Sequence, residues 1–230
     1  MISLTANRMS ALDKAFLLCN QAENFDDFAS GVHILLDRAV NSAEQEAHIL
    51  FESGSVEDGW TSKIIARLDN GFCLKARPAT AGGNADIVIE HLSGDFTIIC
   101  ESKILGEIPN STSKYYNNHL LEGMKQLVTR YSTATVGQDH CILLIFCFAP
   151  MMRDAIDKWK QYFFDKSKNG TDDDKKHFKN LGDYNFVSYV GQRGFFTSHT
   201  HHSSGYPVKV RHVPVCLYHQ PVDKSAKRKT

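Results

Sequence analysis

The sequence predicts an α/β protein in which a central mixed β-sheet is flanked by helices, with a helical segment before it and a β-rich segment after it. Three observations carry this expectation. Apolar residues recur at helical spacing across roughly the first fifty positions. Apolar stretches of strand length, bounded by Gly, Pro, Asn and Asp, follow between Gly71 and Leu105. The run CILLIFCF, residues 141 to 148, is apolar throughout and stands between two further helical patterns, as a strand covered on both faces requires.

From position 6 to about 50, Leu12, Phe16, Phe25, Phe28, Val32, Leu35 and Leu36 keep helical spacing. A second helix follows in SVEDGWTSKIIARLDNG. Ser55 and Asp58 resemble a capping box, Val56, Trp60, Ile64 and Leu68 form one apolar stripe, and Asn70-Gly71 is a stop signal. GFCLKARPA reads as a strand closing near Pro78, and TAGGN as a loop. ADIVIEHL and FTIICESKIL are strands joined by the turn chemistry of Ser93-Gly94-Asp95. NSTSKYYNNHLLEGMKQLVTRYS is a helix with a polar lead-in that turns Leu120, Met124, Leu127, Val128 and Tyr131 to the core. After the apolar strand, RDAIDKWKQYFF is helical, KSKNGTDDDKKHFKN is a charged exposed loop, and Asn185 to Gln220 reads as short strands with Gly and Pro turns. The expected organisation is a single domain. Residues 1–54 are a helical extension, 55–165 the core, 166–184 a charged linker, 185–220 short strands and 221–230 a basic tail.

Composition bounds the function. The chain has 230 residues, 42% hydrophobic and 23% charged, which suits a globular protein. Lys plus Arg and Asp plus Glu are 26 each, so no overall basic field draws in a polyanion and any such site comes from local clustering. The six cysteines form no CxxC and lie mostly in apolar runs, so they read as buried small hydrophobes in a reducing compartment. The first residues show no signal peptide and the longest apolar run is too short to span a bilayer, so the expectation is a cytoplasmic protein without a membrane partner.

The chemistry concentrates in ADIVIEHLSGDFTIICESK, residues 85 to 103, where strands hydrophobic enough for a core carry Asp86, Glu101 and Lys103. Side chains alternate along a strand, so Glu101 and Lys103 share a face with Ile99, and Asp86 shares one with Val88. A hairpin through Ser93-Gly94 brings the two segments together. Two carboxylates about 4 Å apart repel by roughly 4 kcal/mol at an effective dielectric near 20. A divalent cation with oxygen ligands removes that repulsion, and a lysine beside it orients a water for attack on a phosphodiester.

Asp86, fourteen residues, then Glu101-Ser102-Lys103 resembles the PD-(D/E)xK nuclease superfamily, with Ala85 where proline is typical. The resemblance spans about residues 55 to 150. It implies a restriction-endonuclease-like core of α-β-β-β-α-β order and a metal-dependent deoxyribonuclease yielding 5′-phosphate and 3′-hydroxyl ends, in restriction, phage defence or DNA repair. It also implies that Asp86, Glu101 and the Ser102 carbonyl hold Mg²⁺ or Mn²⁺, with Glu57 completing the shell. Lys103 then positions the attacking water and Gln126 orients the water or the phosphate. QLVTRY is similar to the QxxxY-type motif of some nucleases, with Arg130 at the fourth position after Gln126 and Tyr131 one position late. Arg130, Lys114, Tyr115 and Arg193 are candidates for DNA contact, with Tyr116, Lys209 and Arg211 beside them. A homodimer or higher homo-oligomer is expected if both strands are cut.

Other accounts stand beside these. Glu101 and Lys103 form a surface ion pair if their strand face is solvated. Glu57 is a helix N-terminal acid favoured by the macrodipole. Glu122, Gln126 and Arg130 make a solvent-facing ladder. His199, His201 and His202, with Cys216 and His219, are a conceivable zinc set, but their spacing fits no standard finger and a polar exposed loop is the preferred reading. The tail DKSAKRKT reads as solubilising or as a source of nonspecific affinity for polyanions. The functional alternatives are an inactive nuclease-fold scaffold or nucleic-acid-binding protein, and a ribonuclease using the same site.

Overall fold

The fold, taken from a computed structural model, is described for residues 9–52, 57–69, 71–78, 85–108, 111–172, 174–175, 193–201 and 203–220. Helix α1 (Ala11–Asn20) starts with a capping box in which Ser10 and Asp13 exchange hydrogen bonds. The single helical stretch expected over 6 to 50 is interrupted, because Asn24 caps a new helix. Its Oδ1 accepts from the Asp27 N–H at 3.0 Å, opening α2 (Phe25–Gln45). The short α3 (Ala47–Glu52) and then α4 (Glu57–Leu68) follow. The α4 stripe buries Trp60, Ile64 and Leu68 as its spacing predicts. Ser55, Val56, Asn70, the TAGGN loop, residues 176–192, His202 and the basic tail lie outside the described residues.

The strands are β1 (Leu74–Arg77), β2 (Ile87–His91), β3 (Thr97–Glu107), the two-residue β4 (Lys114–Tyr115), β5 (His140–Cys147), β6 (Phe195–Thr200) and β7 (Pro207–Cys216). They form one mixed sheet in the order β1-β2-β3-β5-β7-β6, with β4 pairing β3 off this path. The β2–β3 hairpin turns through Ser93-Gly94 as expected, with Gly94 at φ 83°. Between β3 and β5 the pairing is parallel. The crossover is α5 (Asn117–Gln126) followed by a π-helical turn, Leu127–Tyr131.

Every residue of β5 is buried, because helices cover both faces of the sheet. On one face, α1, α2 and α4 pack with Ile87, Ile98, Cys100, Ile142, Leu144, Phe146, Val213 and Val215. On the other, α5, the π turn and α6 (Met152–Asn169) pack with Leu105, Leu143, Ile145, Val208 and Val210.

The C-terminal strands depart from expectation. They are not a separate addition: β7 runs ten residues, parallel to β5 along its whole length, and β6 closes that edge as a hairpin. Helix α6 reaches Asn169, inside the segment expected as linker, and Asp174 beyond it is buried against Lys125 at 2.8 Å. Arg211, a candidate for phosphate contact, is fully buried instead. Its guanidinium donates to Asp37 (2.7 Å), the His33 carbonyl (3.2 Å) and the Arg193 carbonyl (2.9 Å).

The histidine loop is likewise interior. Trp159 Nε1–H donates to His212 Nδ1 (3.1 Å), and Thr197 Oγ1 links His212 Nε2 (3.0 Å) to His199 Nε2 (2.7 Å). His201 is buried beside Ser204. No described helix is long and apolar enough to cross a membrane.

Candidate active site

The β2–β3 register pairs Ile87 with Cys100 and Val88 with Ile99. Carried one residue further, it sets Asp86 opposite Glu101, and directly opposed residues of an antiparallel pair share a face. That pairing then stops. On this edge of β3 the next described partner is Tyr115 of β4, opposite Gly106. Glu101 to Leu105 therefore have no strand neighbour there among the described residues. The Asp86 carboxylate takes the vacant ladder position, accepting the Ser102 N–H at 2.6 Å.

Helix α4 approaches the same opening. Thr61 donates to Ser102 Oγ at 3.1 Å, and Glu57 lies one turn earlier on the same helix face. The Lys103 ammonium stands among the oxygens so assembled: 2.5 Å from Glu101 Oε1, 3.0 Å from the Ser102 carbonyl and 3.8 Å from Glu57 Oε1. The side chains of Glu101 and Lys103 are 3% and 10% exposed, so they are not a pair on a solvated strand face.

Burial dominates the electrostatics. It raises Asp86, against the opposing hydrogen bond from Ser102. It pushes Glu101 up to about 7, with Lys103 opposing and the charges of Asp86 and Glu57 adding to the rise. For Lys103, burial acts downward, but Glu101, Glu57 and Asp86 outweigh it and hold the ammonium above its ordinary value. Lys103 is thus a fixed positive charge.

The oxygens around it are the hard donors that a magnesium-class ion takes. Glu101 Oε2 is buried with no hydrogen-bond partner among the described residues. Among those residues no group of three or more His, Cys, Asp and Glu side chains is gathered closely enough to cage a metal. The donor set fits such an ion in chemistry, and Lys103 now occupies its centre.

Helix α5 closes the other side. A Cβ built on Gly123 would lie 2.7 Å from Lys103 Cγ and 3.1 Å from Leu143 Cδ1, so only glycine lets the helix press onto the lysine stem. Gln126 is half-buried and its Oε1 has no hydrogen-bond partner among the described residues. The π turn follows at once, closed by Ser132 N–H donating to the Leu127 carbonyl at 3.0 Å. Such a turn holds one residue more than an α turn, so Tyr131, five residues after Gln126, returns to its line. Burial first, then the charge of Glu101, raises the Tyr131 phenol, so it lies within the field of the site. A one-residue offset in sequence is thus absorbed by backbone geometry.

His119, which the sequence reading passed over, also borders the opening. Its Nε2 is 3.7 Å from Glu57 Oε2 and its ring lies 4.9 Å from that of Tyr115. No motif flagged it; its position one turn before Gly123 is the only sequence signal. Of the contact candidates, Arg130 is exposed after the π turn. Lys114 pairs with Glu107 on the surface at 2.5 Å. Arg193 is bound to Glu44 and Asn41 just before β6, three strands from β3, roughly 14 Å at the usual strand spacing.

Compared with protein-family models, with curated proteins and with solved structures, the chain matches none, so its functional reading rests on these residues.

Proposed function

We propose that the chain is a metal-dependent endodeoxyribonuclease of PD-(D/E)xK type. The observation that carries this reading is the meeting of Asp86, Glu101 and Lys103 at an unpaired stretch of a buried strand, with Glu57 and the Ser102 carbonyl directed at the same point. Asp86, Glu101, the Ser102 carbonyl and Glu57 would hold Mg²⁺ or Mn²⁺, whose charge supplies Lewis-acid polarisation of the phosphodiester. Lys103, kept as an ammonium by its neighbours, donates to the attacking water or to a phosphate oxygen and does not take up a proton. Gln126 has a buried carbonyl oxygen, without a hydrogen-bond partner among the described residues, with which to accept from that water. Tyr115, whose ring lies against His119, and the exposed Arg130 are the groups that would meet a phosphate chain. One such site cuts one strand, so cleavage of a duplex calls for a homodimer or higher homo-oligomer.

The test is cleavage of supercoiled plasmid with Mg²⁺ or Mn²⁺ by the wild type, Glu101→Ala and Lys103→Ala. The wild type is expected to cut and each variant to lose at least about a hundredfold. Equal activity in all three, or an inert wild type, refutes the proposal. RNA of the same sequence separates deoxyribonuclease from ribonuclease. A second reading has one observation in its favour. Lys103 already neutralises Glu101 without a metal, as suits a binding or scaffold protein that keeps the fold. The inert wild type is its signature.

A further inference from the structure

Away from the charged strand pair, the loop before β5, the start of β7 and the start of α2 enclose a cavity of about 430 Å³, a size typical of small-molecule sites. The β3–β5 register, carried two residues back from Ile99 and Cys141, sets Asp139 of this cavity opposite Thr97. Lys103 is six residues further along β3, about 20 Å away at the usual strand rise. The walls are largely apolar. Phe25 is clamped by Phe96 and His140, with ring centroids 5.8 Å and 5.0 Å away. Pro207, the fully exposed Val136 and Tyr206, 63% exposed, complete them. The loop that carries Val136 is preformed. Ala134 sits at φ 50°, a strained conformation for a residue with a Cβ. Its N–H donates to Ser132 Oγ (3.1 Å), and the Ser132 hydroxyl donates to the Gln138 carbonyl (3.3 Å). The Gly137 carbonyl accepts the Thr97 N–H at 2.9 Å, and a Cβ on Gly137 would lie 2.5 Å from the Asp95 carbonyl oxygen.

Asp139 is the charged residue of this lining, and its carboxylate joins no ion pair among the described residues. Asp26, next to Phe25, has a side chain 77% exposed and holds the nearby Lys209 ammonium at 3.3 Å. Burial, and then the charge of Lys209, keep the His140 imidazole below its ordinary value, with Asp139 and Asp26 opposing. Both carboxylates therefore act on one ring, and that ring, neutral at pH 7, offsets neither. Two carboxylates stand against one ammonium, which leaves Asp139 without a counter-ion. Aromatic faces attract a cation, and an unpaired carboxylate beside them repels an anion. We propose that this cavity binds a small organic cation, an alkylammonium with an aromatic body, its charge at Asp139 and its body against Phe25 and Tyr206. The cavity shares no residue with the Asp86–Glu101–Lys103 set, so this binding does not depend on the nuclease reading.

The experiment follows backbone amide shifts of the intact chain by proton–nitrogen NMR, for the wild type, Asp139→Asn and Tyr206→Ala. Each is titrated with phenethylammonium, its uncharged counterpart 2-phenylethanol and the anion 3-phenylpropionate. In the wild type, phenethylammonium is expected to shift the amides of Thr135, Val136 and Gly137 and to bind at least about tenfold more tightly than the alcohol. The anion should bind more weakly than either. Asp139→Asn should bring the ammonium down to the affinity of the alcohol and leave the alcohol unchanged, a pattern that a folding defect does not produce. Tyr206→Ala should weaken both. A wild type that holds the ammonium no more tightly than the alcohol overturns the proposal, as do shifts confined to other parts of the chain. So does an Asp139→Asn chain that keeps the preference for the ammonium, or a wild type that binds none of the three. Cleavage is not among these readouts, so the nuclease reading is left to the plasmid assay.

Discussion

Glu101→Gln should make the metal-free protein more stable at alkaline pH while removing its activity. A carboxyl held at about 7 in the fold and near 4.5 in the unfolded chain binds more protons folded than unfolded between those two values. Stability therefore falls as pH rises, by about 1.4 kcal/mol per pH unit. The wild type is at full strength below pH 4.5 and has lost about 3 kcal/mol once pH passes 7. Glutamine cannot ionise, so this loss is absent from the variant, and its amide oxygen still accepts from Lys103. Asp86 titrates in both proteins and cancels from the difference. Urea unfolding in chelator at pH 5, 6, 7 and 8 measures it. The two proteins should be nearly equal at pH 5, and the variant ahead by about 2–3 kcal/mol at pH 8. Adding Mn²⁺ should stabilise the wild type more than the variant, because an ionised Glu101 is a stronger ligand than a neutral amide. Parallel pH curves would mean that burial does not hold the Glu101 proton, and the electrostatic account of the site would fall with it.

Gly123→Ala places a methyl group against the Lys103 stem. It should cost about 1–3 kcal/mol in thermal or chemical unfolding, and cut turnover more than substrate affinity, because the ammonium is displaced; unchanged turnover would show that Lys103 is not held by this helix. Arg211→Ala empties a fully buried site and strips the half-buried Asp37 of its partner, and should lose about 3–5 kcal/mol; a loss below about 1 kcal/mol would contradict its interior placement. Trp159→Phe removes the donor to His212 Nδ1 and should cost about 1–3 kcal/mol, read by urea unfolding with no change in divalent-ion binding.

What the sequence made legible is local. Trp60, Ile64 and Leu68 share a face because helical spacing is a covalent fact of the chain, and Ile98 and Cys100 fall opposite Ile99 and Glu101 for the same reason in a strand. The grouping of Asp86 with Glu101 followed from that alternation plus one hairpin. What stayed hidden depends on partners distant in sequence. Lys209 and Arg211 look equally basic and share the α2 side of β7, yet Lys209 reaches the surface beside Asp26 at the start of α2, whereas Arg211, two residues further along, lies beneath that helix against Asp37. His199 and His201 read as polar loop because the residues that bury them come from elsewhere; Trp159 and His212, which complete the His199 chain, come from α6 and β7. The π turn is invisible to a periodicity of 3.6, which sets Tyr131 out of line with Gln126.

The charged residues in an apolar strand are finally a question about the edge of β3. A fully paired strand would satisfy the Ser102 N–H with a neighbouring carbonyl, leaving Asp86 no reason to turn inward. Because β2 pairs no further than Ile87, that donor is left to a carboxylate. Asp86 then faces Glu101 in a space too dry for both to ionise easily, which is why burial raises each of them. One positive charge, Lys103, cannot neutralise Asp86, Glu101 and Glu57 together. The metal-free site therefore keeps an excess of negative potential, and Glu101 a proton near neutrality. On the proposed function, that imbalance would favour binding of a divalent ion. It sets the direction of competition: acid and metal contend for Glu101, so binding should strengthen as pH rises through 7.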